Sequence, residues 1–501
     1  MELLLMQSDF YGPVVKAIHF FEKILEPYDC KVFHLHGTQH KSLKPLADYL
    51  ESHHVDYILI SAWCYNNMVF AQLLDIIQQH TGRPTVIVGG WFVNLLGLSA
   101  FQFHDRIDYI ALGDGDDMLV ELAQRKPIDE IDGLYCRGDK REPVYRKTDR
   151  ENEVMIPGPS IVPLSGCSSR CKFCSILTNP QNFWVKSVDR IEKEIVYQKS
   201  NGIDQFYLGY DNVLLNKKRA VAYAELMKSH SCHFATTGRI DQINEEMIAT
   251  LAQNGCTRLD FGVESASERL SLHINKRLTT EKIYEVGKLC REYEVLPFAF
   301  VITGLPTEDA IDREVNDRFL RESDYLLFEI NRYKDYLGSE FSAQIRNFDV
   351  LALSRAYQYE ACYGIFDDED TFLRCEANYR DTVAKATRYM VDKMLAYFRG
   401  TLSEIQQITY WQSFRDATLD TSIHFDESMF KDKALYAQFS YWYRAKKFQN
   451  LQREQQANRI CDKKYFIDKR VLENEGIVKE VYVNEQAVVD YMETGKREVV
   501  S

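Results

Sequence analysis

The first 126 residues alternate short apolar runs with stretches of helical periodicity. The apolar runs predict strands at 2–7, 31–36, 55–61, 85–88 and 107–112, and the periodic stretches predict helices at 14–25, 43–53, 69–79 and 118–125. Strands that alternate with helices are typical of a parallel, doubly wound α/β domain of the Rossmann or flavodoxin type. Glycine turns follow two of these strands, at the edge where such sheets bind ligands.

A second α/β series fills residues 159–340. Strands are predicted at 161–164, 205–208, 233–236, 258–262, 298–302 and 325–330, with helices at 188–199, 219–229, 244–253, 266–273 and 280–293 between them. Six such repeats indicate a partial, open (β/α)6 barrel. Residues 127–158 form a charged connector in which the alternation at 135–147 predicts a small hairpin.

The pattern changes again over residues 341–501. Helical runs such as 382–398 and 401–414 dominate, and one late strand is predicted at 477–483. This C-terminal region is therefore expected to be mainly helical. Its many tyrosines and tryptophans are more often helix-packing core than pocket lining.

The charge of the chain limits its partners. The net charge is −13, from 61 basic and 74 acidic side chains. No broad positive field draws the chain to nucleic acid, and no apolar run reaches the roughly 18 residues of a membrane span. We expect a cytoplasmic protein that binds no nucleic acid and has no membrane span.

Three of the twelve cysteines lie within eight residues, at Cys167, Cys171 and Cys174. Thiolates are soft ligands that hold iron–sulfur clusters, normally four per cubane, so three cysteines leave one iron open to an external chelate. The alternatives are a zinc site that lacks its fourth ligand and three buried thiols. A zinc knuckle needs a nearby fourth ligand, and the next cysteine is only Cys232.

The spacing Cys-x3-Cys-x2-Cys, with the aromatic Phe173 before the third cysteine, resembles the signature of radical S-adenosylmethionine (SAM) enzymes. Further resemblances follow in order at 207–212, 238–241, 260–265, 304–308 and 333–339. The resemblance thus covers about 160–340. It implies a 4Fe–4S cluster on the three cysteines, and SAM contacts from the following residues: Phe173, Asp211, Arg239, Glu264, Ser265 and Gly304.

Residues 1–126 resemble the cobalamin-binding domain that precedes this barrel in one large class of radical SAM enzymes. The resemblance rests on segments 44–50, 55–66, 86–94 and 107–121. It implies cobalamin contacts from Tyr11, Ser61, Gly89, Gly90 and Gly113. The early loop at 8–13 lacks the histidine that often binds cobalt, so cobalamin is expected without a histidine lower ligand. The alternative is a flavodoxin-like domain without a ligand.

The resemblance implies an enzyme that cleaves SAM to a 5′-deoxyadenosyl radical and methylates an unactivated carbon of a peptide or small molecule. The electron would come from a carrier such as flavodoxin or ferredoxin. Two alternatives remain open. One is cyclisation, rearrangement or epimerisation on the same architecture, and the other is a non-catalytic cobalamin-binding or redox-binding protein.

Overall fold

The computed structural model describes most of the chain as two parallel sheets and a helical region. The described residues are 1–7, 16–35, 43–62, 67–175, 183–209, 211–333, 339–343, 365–366, 369–460 and 467–468. Among them, no helix combines the length and the apolar character that crossing a membrane requires.

The N-terminal sheet has six strands in the order β2-β1-β3-β4-β5-β6. Its strands are β1 (Glu2–Gln7), β2 (Lys31–His34), β3 (Tyr57–Ser61), β4 (Thr85–Gly89), β5 (Tyr109–Ala111) and β6 (Leu134–Cys136). Strands β1 to β5 are parallel, and their order 2-1-3-4-5 is that of flavodoxin-like folds. The predicted doubly wound domain is confirmed.

Helices cover both faces of this sheet because its strands are apolar on both sides. They are Lys16–Leu25, Lys44–Ser52, Asn67–Gln79, Trp91–Leu96 and Asp116–Ala123. The short helix Trp91–Leu96, which begins directly after the glycines that end β4, was not among the predicted elements.

The predicted hairpin at 135–147 is wrong. Strand β6 pairs antiparallel with β5 instead, and residues 137–147 form no strand. Strand β6 buries Leu134 and Tyr135 against β5. The charged residues that follow β6 in the chain could not offer the same apolar contacts, so pairing with β5 is favoured over a local hairpin. Only an isolated bridge between Gly113 and Arg146 follows.

The second sheet is an open barrel of six parallel strands in the order β14-β13-β12-β11-β10-β7. These are β7 (Ser160–Ile161), β10 (Gln205–Leu208), β11 (His233–Gly238), β12 (Cys256–Glu264), β13 (Leu296–Thr303) and β14 (Leu327–Arg332). The predicted partial barrel is confirmed. The predicted strand at 161–164 divides at Pro163, which lacks an N–H, and β8 (Leu164–Ser165) pairs with β9 (Trp184–Val185).

Helices surround the barrel on its outer face and bury the largest core of the molecule. They are Val188–Ser200, Lys217–Ser229, Glu245–Gln253, Glu268–His273, Thr280–Glu292 and Ala310–Glu322. The last of these was not predicted, because its charged sequence hides a narrow buried stripe that includes Phe319 and Leu320.

The described C-terminal residues are helical over Glu369–Tyr397, Glu404–Asp416 and Lys433–Ile460, as expected. Tyr410 and Trp411 are buried in the core that these helices share with the barrel. Two short strands, Ile365–Phe366 and Ile467–Asp468, pair with each other. The strand predicted at 477–483 lies outside the described residues.

Candidate active site

The three cysteines lie on the loop that follows β8 at the carboxyl edge of the barrel. Backbone hydrogen bonds fix this loop to its surroundings: Lys172 N donates to Ile274 O at 3.1 Å, and Phe341 N donates to Lys172 O at 3.1 Å. Phe173 packs into a small apolar cluster with Leu270, Leu305 and Phe341. The aromatic residue of the motif therefore anchors the loop.

Asp211 holds the start of the cysteine loop. Its carboxylate accepts a hydrogen bond from Gly166 N, and its carbonyl accepts one from the hydroxyl of Thr237. Burial raises the pKa of Asp211, while the bond from Gly166 acts in the opposite direction. The structure thus shows Asp211 supporting the loop, and its contact with SAM stays a prediction.

Arg239 brings a cation to the second cysteine. Its Nη1 donates to Cys171 Sγ at 3.2 Å, while its other nitrogens form an ion pair with Asp241 at 2.9 Å. A guanidinium beside a thiolate stabilises negative charge on the sulfur. Arg239 therefore lies next to the expected metal site.

The three cysteine thiols are the donor set for the expected cluster. Cys167, Cys171 and Cys174 are not joined in disulfides, and Cys171 is buried. In the described part of the chain, no three histidine, cysteine or acidic side chains converge as ligands of a single ion would. A cubane differs, because each cysteine binds a separate iron. Three cysteines on one anchored loop, with an adjacent cation, fit three corners of such a cluster.

Glu264 ends strand β12 in a strained conformation. Its φ is +61°, a region that non-glycine residues rarely adopt, and the register of β12 on β13 shifts at this point. The carboxylate pairs with Lys276 Nζ at 2.9 Å, and Lys276 also donates to Gly262 O. Strain of this kind clusters at functional sites.

Ser265 lies next to Glu264 but faces the protein interior. Its hydroxyl donates to Asn316 Oδ1 at 3.0 Å, and the side chain is completely buried. This arrangement ties the end of β12 to helix Ala310–Glu322. A direct contact of Ser265 with SAM remains a prediction.

Gly304 begins the turn after β13 with a φ of +77°. Its N–H donates to Glu308 Oε2 at 2.7 Å, so the turn closes on a carboxylate. Burial raises the pKa of Glu308 to about 7. The turn therefore presents an acidic group that titrates near neutrality at the rim of the barrel.

A cavity of about 640 Å³ separates the carboxyl edge of the N-terminal sheet from the first strands of the barrel. Ser61, Gly89, Gly90 and Gly113 line one side, and Ser165 and Trp184 line the other. Ser165 directly precedes the cysteine loop. Of the predicted cobalamin contacts, four therefore lie together, while Tyr11 falls outside the described residues.

The glycines of this cavity are required first by the protein's own backbone. Gly90 and Gly113 have φ of +91° and +93°, and a Cβ on Gly113 would lie 2.1 Å from Arg146 O. A Cβ on Gly90 would lie 2.7 Å from Ala62 O. Close approach to a corrin is therefore not needed to explain either glycine.

A buried group of charges forms the polar end of the cavity. Arg150 pairs with Asp114 at 2.6 Å, Glu153 at 3.0 Å and Asp116 at 3.3 Å, and Lys186 pairs with Glu153 at 3.0 Å. The group joins the N-terminal domain, the connector and the barrel. Burial raises the pKa of Asp116 to about 6, although Arg150 opposes the change.

Sequence reasoning missed several residues of this site. Asn94 clamps Gly113, accepting its N–H at 2.7 Å and donating to its carbonyl at 3.3 Å. Trp184 carries Arg150 and Lys186 over its ring at 5.2 and 5.7 Å. Lys276 also went unassigned as the partner of Glu264. Asn94 could have been found from the sequence if a helix had been predicted to begin at Trp91, directly after strand β4. The ion pairs between distant residues leave no signal in the local sequence.

The comparisons with known proteins agree with this architecture. Residues 161–320 match the Radical SAM superfamily. An uncharacterized methyltransferase of Pyrococcus horikoshii is 22% identical over 352 residues, which cover 64% of this chain and 76% of the relative.

Two solved structures share the fold. The radical SAM methyltransferase TsrM from Kitasatospora setae, with cobalamin and a 4Fe–4S cluster bound, is 16% identical to this chain with a TM-score of 0.53. The match covers 69% of this chain and 77% of the TsrM chain. The cobalamin-dependent SAM radical enzyme OxsB with aqua-cobalamin bound is 15% identical with a TM-score of 0.56. That match covers 98% of this chain and 83% of its own.

A radical SAM domain implies a 4Fe–4S cluster and SAM as cofactors. The matched segment contains the cysteine loop, the strained end of β12 and the turn at Gly304. Residues 161–320 therefore form a radical SAM domain, and the chain as a whole shares its fold with two cobalamin-dependent radical SAM enzymes.

Proposed function

We propose that this enzyme binds cobalamin in the cavity between its two sheets and methylates an unactivated carbon of a peptide or natural product. The observation that carries the proposal is the position of this cavity. It lies at the carboxyl edge of a flavodoxin-like sheet, and its far wall reaches Ser165, two residues before Cys167. A ligand there would lie beside the cysteine loop.

The lining of the cavity supports this assignment. The cavity volume of about 640 Å³ lies within the range of roughly 300–1,000 Å³ that ligand sites have. Apolar side chains such as Ile87 and Leu119 suit a corrin face, while Arg150 and Lys186 offer donors at one end. None of the described lining residues is a histidine.

When bound, the cluster with SAM supplies a 5′-deoxyadenosyl radical, and cobalamin supplies a methyl carrier. Cys167, Cys171 and Cys174 would hold the cluster, and Asp211 with Phe173 fix the loop that carries them. Glu264, held by Lys276, presents its carboxylate at the rim for the polar end of SAM.

A second candidate uses the same site without methyl transfer. The structure that covers 98% of the chain bears the name of a cobalamin-dependent SAM radical enzyme and not of a methyltransferase. Cyclisation, rearrangement or epimerisation of a natural product would need the same cysteine loop and the same cavity. Methyl transfer differs in its products, since it also converts SAM to S-adenosylhomocysteine.

The first experiment measures cobalt and iron together. The protein is purified with its cluster, incubated anaerobically with hydroxocobalamin and desalted, and about one cobalt and four irons per chain are expected. Iron without cobalt would overturn cobalamin binding. Ser61→Phe, which fills the cavity, should lose cobalt and keep iron, whereas Ser52→Phe on the exposed surface of the same domain should keep both.

Product analysis under dithionite then separates the candidate functions. 5′-Deoxyadenosine together with S-adenosylhomocysteine supports methylation. 5′-Deoxyadenosine alone favours the second candidate, and the absence of both products in protein that carries its cluster would favour a non-catalytic binding protein.

A further inference from the structure

Two exposed cations lie at the surface of the cysteine loop and of the turn that contacts it. Arg170 of the loop and Arg277 of the turn are exposed, and Leu272, at the end of the helix before that turn, is 65% exposed. We call Arg170, Leu272 and Arg277 the loop patch.

Asn275 joins the two halves of the loop patch. Its Nδ2 donates to Arg170 O at 2.7 Å, and its Oδ1 accepts from Arg277 Nε at 3.1 Å. Asn275 has a φ of +60°, which asparagine tolerates better than most residues. The patch is therefore a defined surface, held to the cysteine loop by a side-chain amide.

The loop patch adjoins the expected metal site. Arg170 precedes Cys171 in the chain, and Arg239 connects Cys171 Sγ at 3.2 Å with Lys276 O at 3.5 Å. No other domain of the described chain covers Arg170 or Arg277, because both stay exposed. Electrons can therefore reach the cluster from this side over a short path.

The charge of the patch is opposite to that of the molecule. The chain carries a net −13, yet Arg170 and Arg277 have no acidic partner among the described residues. Two acids of the same region pair with other cations: Glu340 lies 3.5 Å from Lys172, and Asp241 binds Arg239. A local positive surface on an acidic protein selects an acidic partner and steers its approach.

We infer that the loop patch is the docking surface for a small acidic one-electron carrier protein, an inference that rests on the proposed radical SAM chemistry. The carrier would cover Leu272 with an apolar contact and place acidic side chains on Arg170 and Arg277. One electron passes from the reduced carrier to the cluster, so the carrier is oxidised and the cluster reduced by one electron. No proton or further reactant is needed for this transfer.

The test compares two reductants on the cluster-loaded enzyme. Reduced flavodoxin, a small acidic carrier, must dock, whereas dithionite reaches the cluster by diffusion. The double variant Arg170→Glu with Arg277→Glu should lose about tenfold or more in flavodoxin-driven formation of 5′-deoxyadenosine and stay within about twofold under dithionite.

A binding measurement gives a readout that does not depend on turnover. The dissociation constant of flavodoxin for wild type should rise steeply with salt, and the double variant should bind about tenfold more weakly at low salt with a shallower dependence. Arg399→Glu with Lys433→Glu makes the same charge change on exposed residues of the helical region and should match wild type.

The outcomes separate this inference from the proposed function. Equal losses with both reductants would show damage to the site and overturn the docking assignment. Unchanged flavodoxin binding in the double variant, or no salt-dependent binding to wild type, would also overturn it. Wild type that is inactive under dithionite despite a full cluster would instead contradict the proposed function.

Discussion

Single side chains from distant parts of the sequence fix the cysteine loop. Asp211 binds its first turn, Asn275 binds Arg170, and Arg239 binds Cys171. These contacts span between 45 and 105 positions along the chain. The motif supplies the ligands, and these outer residues set the position and the electrostatics of the ligands.

Replacement of Arg239 tests its effect on the cluster. In Arg239→Met the reduced cluster loses a cation and a hydrogen bond at Cys171, so its reduction potential should become more negative by on the order of 50 mV, since about 59 mV corresponds to a tenfold change for one electron. An EPR-monitored redox titration measures this shift. Arg239→Lys keeps the charge and should shift less, and an unchanged potential in fully loaded Arg239→Met would contradict the assigned contact.

Asp116 should make the free energy of unfolding depend on pH. Its pKa is raised from 3.8 to about 6 by burial, so the folded state binds this proton more tightly than the unfolded state. Its stabilising contribution is therefore complete below pH 3.8 and is lost as the pH rises to about 6. The loss is at most about 3 kcal/mol, at about 1.4 kcal/mol per pKa unit.

Urea unfolding of wild type and Asp116→Asn from pH 4.5 to 8 measures this term. The variant should gain stability relative to wild type as the pH rises to about 6 and keep a constant difference above that value. A difference that does not vary with pH would show that Asp116 ionises normally in the folded protein.

At the level of secondary-structure elements, the C-terminal helical region contacts the open edge of the barrel at strand β14. Strand β14 has no further strand beside it in the described sheet, and Thr418 takes that place. Its N–H donates to Phe328 O at 2.9 Å, and its hydroxyl accepts from Ile330 N at 3.0 Å. The helical region thus covers an edge that would otherwise expose unpaired backbone groups.

Thr418→Val should destabilise the protein by about 1–3 kcal/mol, because it leaves the N–H of Ile330 without an acceptor while it preserves side-chain shape. Chemical denaturation of the full chain measures the change. Thr418→Ser keeps the hydroxyl and should lose less. Unchanged stability in Thr418→Val would contradict the assigned hydrogen bond to Ile330 N.

In the whole molecule, the carboxyl edge of the N-terminal sheet and the first strands of the barrel face one cavity, and Arg150 connects its walls. Its partners Asp114 and Asp116 belong to the N-terminal domain, and Glu153 belongs to the connector that leads to the barrel. Glu153 continues the connection to Lys186 of the barrel. The geometry of the proposed cobalamin site thus depends on one partly buried arginine.

Arg150→Met should destabilise the junction by about 3–5 kcal/mol, because three acids remain partly buried without their shared partner. We expect faster limited proteolysis between the domains and weaker cobalt retention. Arg137→Met, at an exposed arginine of the same connector, is the matched control. Unchanged proteolysis in Arg150→Met would show that the domains are held together by other contacts.

The sequence by itself determined the two sheets, the order of their strands along the chain and the cysteine loop. The periodicity of apolar residues indicates which face of an element is buried, and the spacing of the cysteines is a local feature. Both can therefore be read from the sequence alone. The tertiary structure alone decided the pairing of β6, the cavity and the partners of Arg150, Arg239 and Asn275. These depend on residues brought together across domains, for which the linear pattern carries no signal.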